Sequence, residues 1–234
     1  MKAGTPTHLV ALVGGSGAGK GWLVERLCRL FGSDATHLQL DDFYRDCSHL
    51  PMEEWAGINF DVPEAIDWEW TGRVLHACRE GRTIAVPSYD FATHSRVLRT
   101  FAWTPRPVVF VDGLWLLHSA EIRRLFDLKI FLDTPTRVRC DRRLTRDVAR
   151  RGYSREAIER QLRTAVVPMH DEFVEPQKAH ADVVLPHPMT EEHAVALADR
   201  LWTLRSAAAA TKFCDRDAFR ANLLGMILDH EYCT

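Results

Sequence analysis

Leu9-Val10-Ala11-Leu12-Val13 runs directly into Gly14-Gly15-Ser16-Gly17-Ala18-Gly19-Lys20-Gly21, and a helix-patterned stretch follows. A buried strand, a glycine turn and a helix N-terminus, in that order, make a cradle for phosphate. The glycines let successive backbone N–H groups converge on an anion, and the helix contributes the positive end of its dipole. Lys20 then reaches the outer phosphates of a nucleoside triphosphate. The spacing G-x-x-x-x-G-K is met by Gly14, Gly19 and Lys20, but the next position, where a serine or threonine hydroxyl serves magnesium, is Gly21. The stretch predicts nucleotide binding with one metal ligand missing.

Around it the chain alternates. Thr36 to Leu40, Thr83 to Val86, Val108 to Val111, Leu128 to Leu132 and Asp182 to Leu185 are short, apolar and rich in β-branched residues, as buried strands are. Helical patterns separate most of them. Leu23, Leu27, Leu30 and Phe31 recur at helical spacing before Gly32, and Val74, Leu75 and Cys78 do so between Asp67, a candidate cap, and Gly81. Strands alternating with helices predict an α/β fold with a mostly parallel sheet covered on both faces.

Three stretches interrupt the alternation: Cys47 to Pro63 as an irregular connection, Arg96 to Trp103 as a short hairpin, and Arg137 to Arg163 as a charged helical insertion too polar for a core. The main domain is expected over residues 1–205, with a helical extension over 206–234 whose Phe219, Leu223, Leu224, Ile227 and Leu228 are amphipathic. There is no internal repeat.

Composition narrows the function. The 234 residues are 46% hydrophobic, enough for a substantial core, and 30 basic against 32 acidic side chains leave a formal charge of −2. That balance argues against a nucleic-acid polymer or a membrane surface as partner. The six cysteines are scattered without a C-x-x-C pair, which fits reduced thiols in a cytoplasmic protein. No apolar run reaches membrane-spanning length, and MKAGTPTH is not laid out as a signal peptide.

Several acids and arginines could carry chemistry. Asp41 and Asp42 end the second strand on the sheet edge that bears the glycine loop, where a carboxylate accepts a proton from an attacking hydroxyl, holds a metal or caps a turn. Asp112 closes Val108-Val109-Phe110-Val111, a position suited to magnesium. Arg142, Arg143, Arg146 and Arg151 cluster at helical spacing, either as surface ion pairs with Asp147 or as a lid over phosphates. Pro87 to Arg96 gathers Tyr89, Phe91, His94 and Arg96 behind a strand, a set able to stack on and hydrogen-bond a planar heterocycle.

Taken together these segments resemble the uridine–cytidine kinase family, within the P-loop kinases that include phosphoribulokinase, from about His8 to His187. The glycine loop is similar to G-x-S-G-[SA]-G-K-[ST] apart from Gly21, and Asp41-Asp42-Phe43-Tyr44-Arg45 resembles D-S-F-Y-R. Asn59-Phe60-Asp61 with Pro63 resembles N-F-D-x-P, and Pro87 to Arg96 resembles P-x-Y-D-F-x-T-H-S-R. Arg142 to Gly152 is similar to the lid segment R-R-x-x-R-D-x-x-x-R-G, with Tyr153 where a further arginine is common and Gln161 where a glutamine follows the lid. Val111-Asp112-Gly113 stands where the family has F-E-G.

The resemblance implies a P-loop-type parallel sheet with a helical lid (about residues 137–163) and a small β-hairpin, and transfer of the γ-phosphoryl group of ATP or GTP, as the magnesium complex, to the 5′-hydroxyl of uridine or cytidine. It implies Asp41 as base, with Lys20, Arg146 and Arg151 stabilising the transferred group. Gly14 to Gly21, Arg142 and Arg143 would hold the triphosphate. Asp61 would hold the ribose, and Tyr44, Tyr89, Phe91, His94, Arg96 and Gln161 the nucleoside. Magnesium falls to Asp112, with Asp42, or a water in the space at Gly21, in part replacing the hydroxyl absent there. A homo-oligomer is implied as well. Two other functions compete: a related kinase acting on another sugar-containing metabolite, and a nucleotide-binding regulator of weakened catalysis.

Overall fold

The computed structural model describes residues 7–51, 58–91, 93–98, 102–151 and 154–208, with the backbone alone at 98, 150–151 and 205–208. Strand β1 (His8–Val13) leads through the glycine loop into α1 (Lys20–Phe31), and β2 (Ala35–Gln39) follows. After a 3-10 turn at Leu40–Phe43 come α2 (Trp68–Arg79) and the strands β3 (Pro87–Asp90) and β4 (Ser95–Leu98). The chain continues as β5 (Val108–Gly113), the single turn α3 (Ala120–Arg123), β6 (Leu128–Asp133) and α4 (Thr136–Arg151). Last are α5 (Arg155–Gln161), prolonged by π-helical turns at Leu162–Val166 and His170–Val174, then β7 (Val183–Pro186) and α6 (Glu191–Ala208).

Five strands form one parallel sheet in the order β2-β5-β1-β6-β7. The central strands β1, β5 and β6 are apolar because both faces are covered, whereas the edge strands β2 and β7 are only partly buried. On one face Val10, Leu12, Phe110 and Ile130 pack under α1 and α6; on the other Leu9, Ala11, Val109 and Val111 pack against α2, Trp115 and Leu116. The periodicity read in α1 and α2 is the buried stripe of each helix: Leu23, Leu27, Leu30 and Phe31 in one, Val74, Leu75 and Cys78 in the other. Asp67 caps α2 by accepting from the Trp70 N–H at 2.9 Å. Gly32 follows α1 at φ 53°, a left-handed turn that suits glycine.

Three expectations change. Among the described residues Thr83 to Val86 is not a sheet strand: Ile84 pairs there only with Trp103, in an isolated antiparallel bridge. A run of four β-branched and apolar residues has the same pattern in either setting. The hairpin lies earlier than Arg96–Trp103, with β3 against β4 in the register Tyr89 to Arg96, so Arg96 to Leu98 belong to its return strand. The charged helix α4 is not wholly a solvated face. Arg139, Arg143 and Asp147, spaced four apart, are 2%, 8% and 1% exposed, and they turn one stripe of α4 inward.

Helix α6 runs past the expected boundary at residue 205 to Ala208. The rest of the proposed extension, with its five amphipathic positions, lies outside the described residues, as do Gly152 and Tyr153. Among the described residues no helix is long and apolar enough to cross a membrane.

Candidate active site

Parallel strands deliver their C-terminal ends to one edge of the sheet, and ligands of such folds bind there. The glycine loop leaves β1 at that edge, Asp112 is the penultimate residue of the neighbouring β5, and Asp41 sits in the 3-10 turn beyond β2. These groups line a cavity of about 820 Å³ together with Lys20, Gly21, Arg142 and Arg146. Four segments distant in sequence thus meet on one wall.

The loop is braced from outside. Arg139 of α4 donates from Nε to the Thr134 carbonyl and from Nη2 to Thr136 Oγ1, both at 3.0 Å. Thr134 Oγ1 in turn donates to the Ala18 carbonyl at 3.0 Å. Gly17, at φ +82°, passes so close that a Cβ there would sit 2.4 Å from the Arg139 carbonyl oxygen. Glycine is therefore required at 17 by contact as well as by conformation. At Gly21 the situation is reversed, since a Cβ there meets nothing within 4 Å.

Lys20 Nζ donates to the carbonyls of Gly14 at 2.8 Å and Gly15 at 3.2 Å. Burial holds its ammonium below the usual lysine range, against the opposing pull of Asp112 and Asp41. A poorly solvated cation between two carboxylates is well disposed to trade those carbonyls for phosphate oxygens. Arg142 Nη1 donates to the Gly17 carbonyl at 3.3 Å, which places a second cation at the loop's outer end. Asp112 accepts from His37 Nε2 at 2.6 Å.

Beside this cavity lies a second recess, lined by Ser16, Asp61, Trp115 and His170. Asp61 accepts from Arg143 Nη1 at 3.1 Å, and Arg143 Nε lies 3.4 Å from Asp147. Arg143 is thus turned toward Asp61, whereas Arg142 and Arg146 line the loop cavity. Around Tyr44 gather Phe60, Tyr89, Phe91 and Trp115, with ring centroids 5.4 to 6.5 Å away. Tyr44 Oη donates to the Phe60 carbonyl at 3.0 Å, and burial raises its hydroxyl well above the usual range. His94 stacks on Phe60 at 4.8 Å. Burial lowers the His94 imidazole, against Asp90. Tyr89 Oη is buried with no hydrogen-bond partner among the described residues.

Other candidates stand apart. Arg96 donates to Asp67 at 2.9 Å and lies over the Trp70 ring, so it serves the start of α2. Asp42 accepts from the Tyr89 N–H at 3.4 Å, on the hairpin side of its turn. Gln161 is exposed at the end of α5. The Arg151 side chain lies outside the described residues. Conversely, Arg139, His170, His37 and Gln177 carry no motif. Gln177 joins the strap after β5 to the second π-helical turn by accepting from Leu117 N–H and donating to the Leu114 and Phe173 carbonyls, each at 2.8 Å. Only strand pairing could have revealed His37, by setting β2 beside β5.

The donor set suits a hard divalent ion that arrives with its nucleotide. Among the described residues no three His, Cys, Asp or Glu side chains form a metal cage, and magnesium is commonly bound through one or two carboxylates plus phosphates. Asp112 supplies such a carboxylate on the cavity wall, next to open space at Gly21.

Comparison with known proteins agrees with this geometry. A profile described as "Phosphoribulokinase / Uridine kinase family" matches residues 9–194. A uridine kinase of Chloroflexus aurantiacus is 40% identical over 179 residues, covering 76% of this chain and 86% of its own length. A uridine kinase of Clostridium perfringens is 38% identical over 178 residues, with the same coverage of 76% and 86%. In three dimensions, phosphoribulokinase from Rhodobacter spheroides superposes with a TM-score of 0.59 at 19% identity, over 78% of this chain and 70% of that one, which speaks to the fold. With its glycine loop, acidic strand ends and arginine-bearing helix in this arrangement, the chain belongs to the phosphoribulokinase/uridine kinase family.

Proposed function

We propose that this protein is an ATP-dependent uridine/cytidine kinase that transfers the γ-phosphoryl group to the nucleoside 5′-hydroxyl, with GTP as an alternative donor. The observation that carries this reading is the shared wall of Lys20, Asp41, Asp112, Arg142 and Arg146, with Asp61, the partner of Arg143, in the next recess. The loop amides, Lys20 and Arg142 hold the triphosphate. Asp61 accepts from the vicinal ribose hydroxyls, and the aromatic group around Tyr44 with Tyr89, Phe91 and His94 receives the pyrimidine.

The hydroxyl oxygen forms a bond to the γ-phosphorus as the bond to the β-γ bridging oxygen breaks. Asp41 takes the hydroxyl proton, and ADP leaves. Charge spread over the transferred group is met by Lys20, Arg146 and Arg151. Magnesium would supply charge neutralisation at the triphosphate, and Asp112 on the cavity wall would hold it. Closure of α4 and α5 excludes water and so limits hydrolysis of the triphosphate. Assembly as a homo-oligomer, expected from the resemblance, is open to sedimentation of the full chain.

The test is ADP release from ATP and magnesium with uridine, cytidine or ribulose 5-phosphate supplied in parallel. Turnover with uridine or cytidine that disappears in Asp41→Ala supports the reading. Turnover with ribulose 5-phosphate alone redirects it to another sugar-containing acceptor, and tight ATP binding without any turnover redirects it to a regulator.

A further inference from the structure

Asp112 and Gly21 together pose a problem. The helix offers no hydroxyl at Gly21 and no side chain has moved into the space, so the protein's hold on the cation falls to a short carboxylate at the end of β5. A carboxylate beside a poorly solvated lysine tends to pair with it, and such a pair would withhold Asp112 from the cation and Lys20 from phosphate at once. The structure avoids that pairing. Lys20 bonds to the Gly14 and Gly15 carbonyls, while Asp112 Oδ1 accepts from His37 Nε2.

Strand register explains how His37 arrives. In the β2–β5 ladder Gln39 is opposite Asp112 and His37 opposite Phe110, so His37 and Asp112 share the sheet face that α1 covers. From there the imidazole reaches along the strand to Oδ1, and it is Asp112, not His37, that lines the cavity. One carboxylate oxygen is occupied and the carboxylate plane is fixed; Oδ2 is left for a cation or its water. Hydrogen-bonded carboxylates of this kind are how outer groups orient metal ligands.

We propose that His37 is a positioning residue for the cation of the kinase reaction: by holding Asp112 away from Lys20 it keeps one carboxylate oxygen available in a chain that lacks the loop hydroxyl. The proposal rests on the kinase reading, and its test separates the two. Mn²⁺ binding to the full chain with a non-hydrolysable ATP analogue is followed by electron paramagnetic resonance, and analogue binding in chelator is measured alongside.

His37→Phe, which keeps a ring and loses the donor, is expected to weaken Mn²⁺ binding in the ternary complex by about ten- to a hundredfold. Affinity for the metal-free analogue should stay unchanged, and His37→Gln, which can still donate, should recover most of the loss. A merely structural role would lower thermal stability without this donor-specific recovery. Mn²⁺ affinity within about twofold of the parent in a folded His37→Phe protein overturns the proposal and leaves the kinase reading standing. Failure of the parent chain to bind the Mn²⁺–analogue pair at all overturns both. Where His37→Phe does not fold, spin-echo modulation on the parent complex decides: a directly bound ¹⁴N on Mn²⁺ makes His37 a ligand and overturns positioning, whereas its absence supports it.

Discussion

Asp61 Oδ1 and Arg143 Nη1 meet at 3.1 Å although 82 positions separate them in the chain. One belongs to the connection before α2, the other to the inward stripe of α4, and both side chains are about a tenth exposed. The pair ties the recess beside the loop cavity to the helix whose Arg142 and Arg146 line that cavity.

Replacing Asp61 by Ala should therefore act mainly on the acceptor. Arg143 keeps Asp147 as partner at 3.4 Å, so the cost of an unpaired buried charge is partly relieved. A stability loss of about 1–3 kcal/mol is expected, below that for breaking an isolated buried pair. Loss of a charged acceptor for ribose hydroxyls should raise the nucleoside KM about ten- to a hundredfold, with ATP affinity little changed. Steady-state kinetics with each substrate varied in turn checks this, and a change confined to the ATP KM would contradict it.

Asp41 tests a different link. It lines the loop cavity from the 3-10 turn beyond β2, outside the glycine loop. Asp41→Asn retains size and hydrogen bonding yet cannot take a proton, so kcat should fall about a hundred- to ten-thousandfold, with nucleotide affinity retained. Calorimetric nucleotide binding beside turnover separates the two effects. Equal kcat in the variant would remove Asp41 as base.

Much of this site was legible because its signals are local. The glycine loop, Asp41 and Asp112 each sit at the end of an apolar run, and a parallel sheet brings such ends together without further information. The arginines of α4 were readable as a group but not by direction. Only the packed helix shows that Arg143 turns inward to Asp61 while Arg142 and Arg146 face the loop. Arg96 belonged to a motif-like stretch, yet Asp67 and Trp70 capture it, and neither is near it in sequence. His37 and Arg139 were silent for the same reason: their partners come from strand order and helix packing, which a one-dimensional pattern does not contain.

Two glycines of one loop should respond in opposite ways. Gly17→Ala places a methyl group 2.4 Å from a backbone carbonyl at φ +82°, and neither chain segment gives way cheaply. A loss of about 1–3 kcal/mol in stability is expected, with weakened nucleotide binding. Gly21→Ser enters open space in the first turn of α1 and replaces a poor helix former, so stability should hold or rise by about 0.5 kcal/mol. The serine hydroxyl also offers the cation a further oxygen, so the magnesium concentration for half-maximal rate should fall. Thermal unfolding and a magnesium titration measure both; an unchanged titration would mean that the space at Gly21 is not the metal's.

Acid should destabilise the folded chain through two histidines. Burial lowers the His170 imidazole below its usual range, Arg139 adds to that effect, and Glu175 and Asp171 oppose it. His94 is lowered by burial as well. Both groups are then neutral in the folded chain over a range where the unfolded chain binds a proton. Below an unfolded value of about 6.5 the unfolded state holds more protons, so stability falls with falling pH. The loss continues until the pH reaches each folded value and then levels off. Each imidazole contributes a slope of up to about 1.4 kcal/mol per pH unit inside that window. Denaturant unfolding between about pH 5 and 7.5 should show this decline. His170→Gln, which cannot titrate there, should flatten it and leave the His94 contribution. An unaltered slope in His170→Gln would show that the imidazole between Arg139 and Glu175 takes up its proton as readily folded as unfolded.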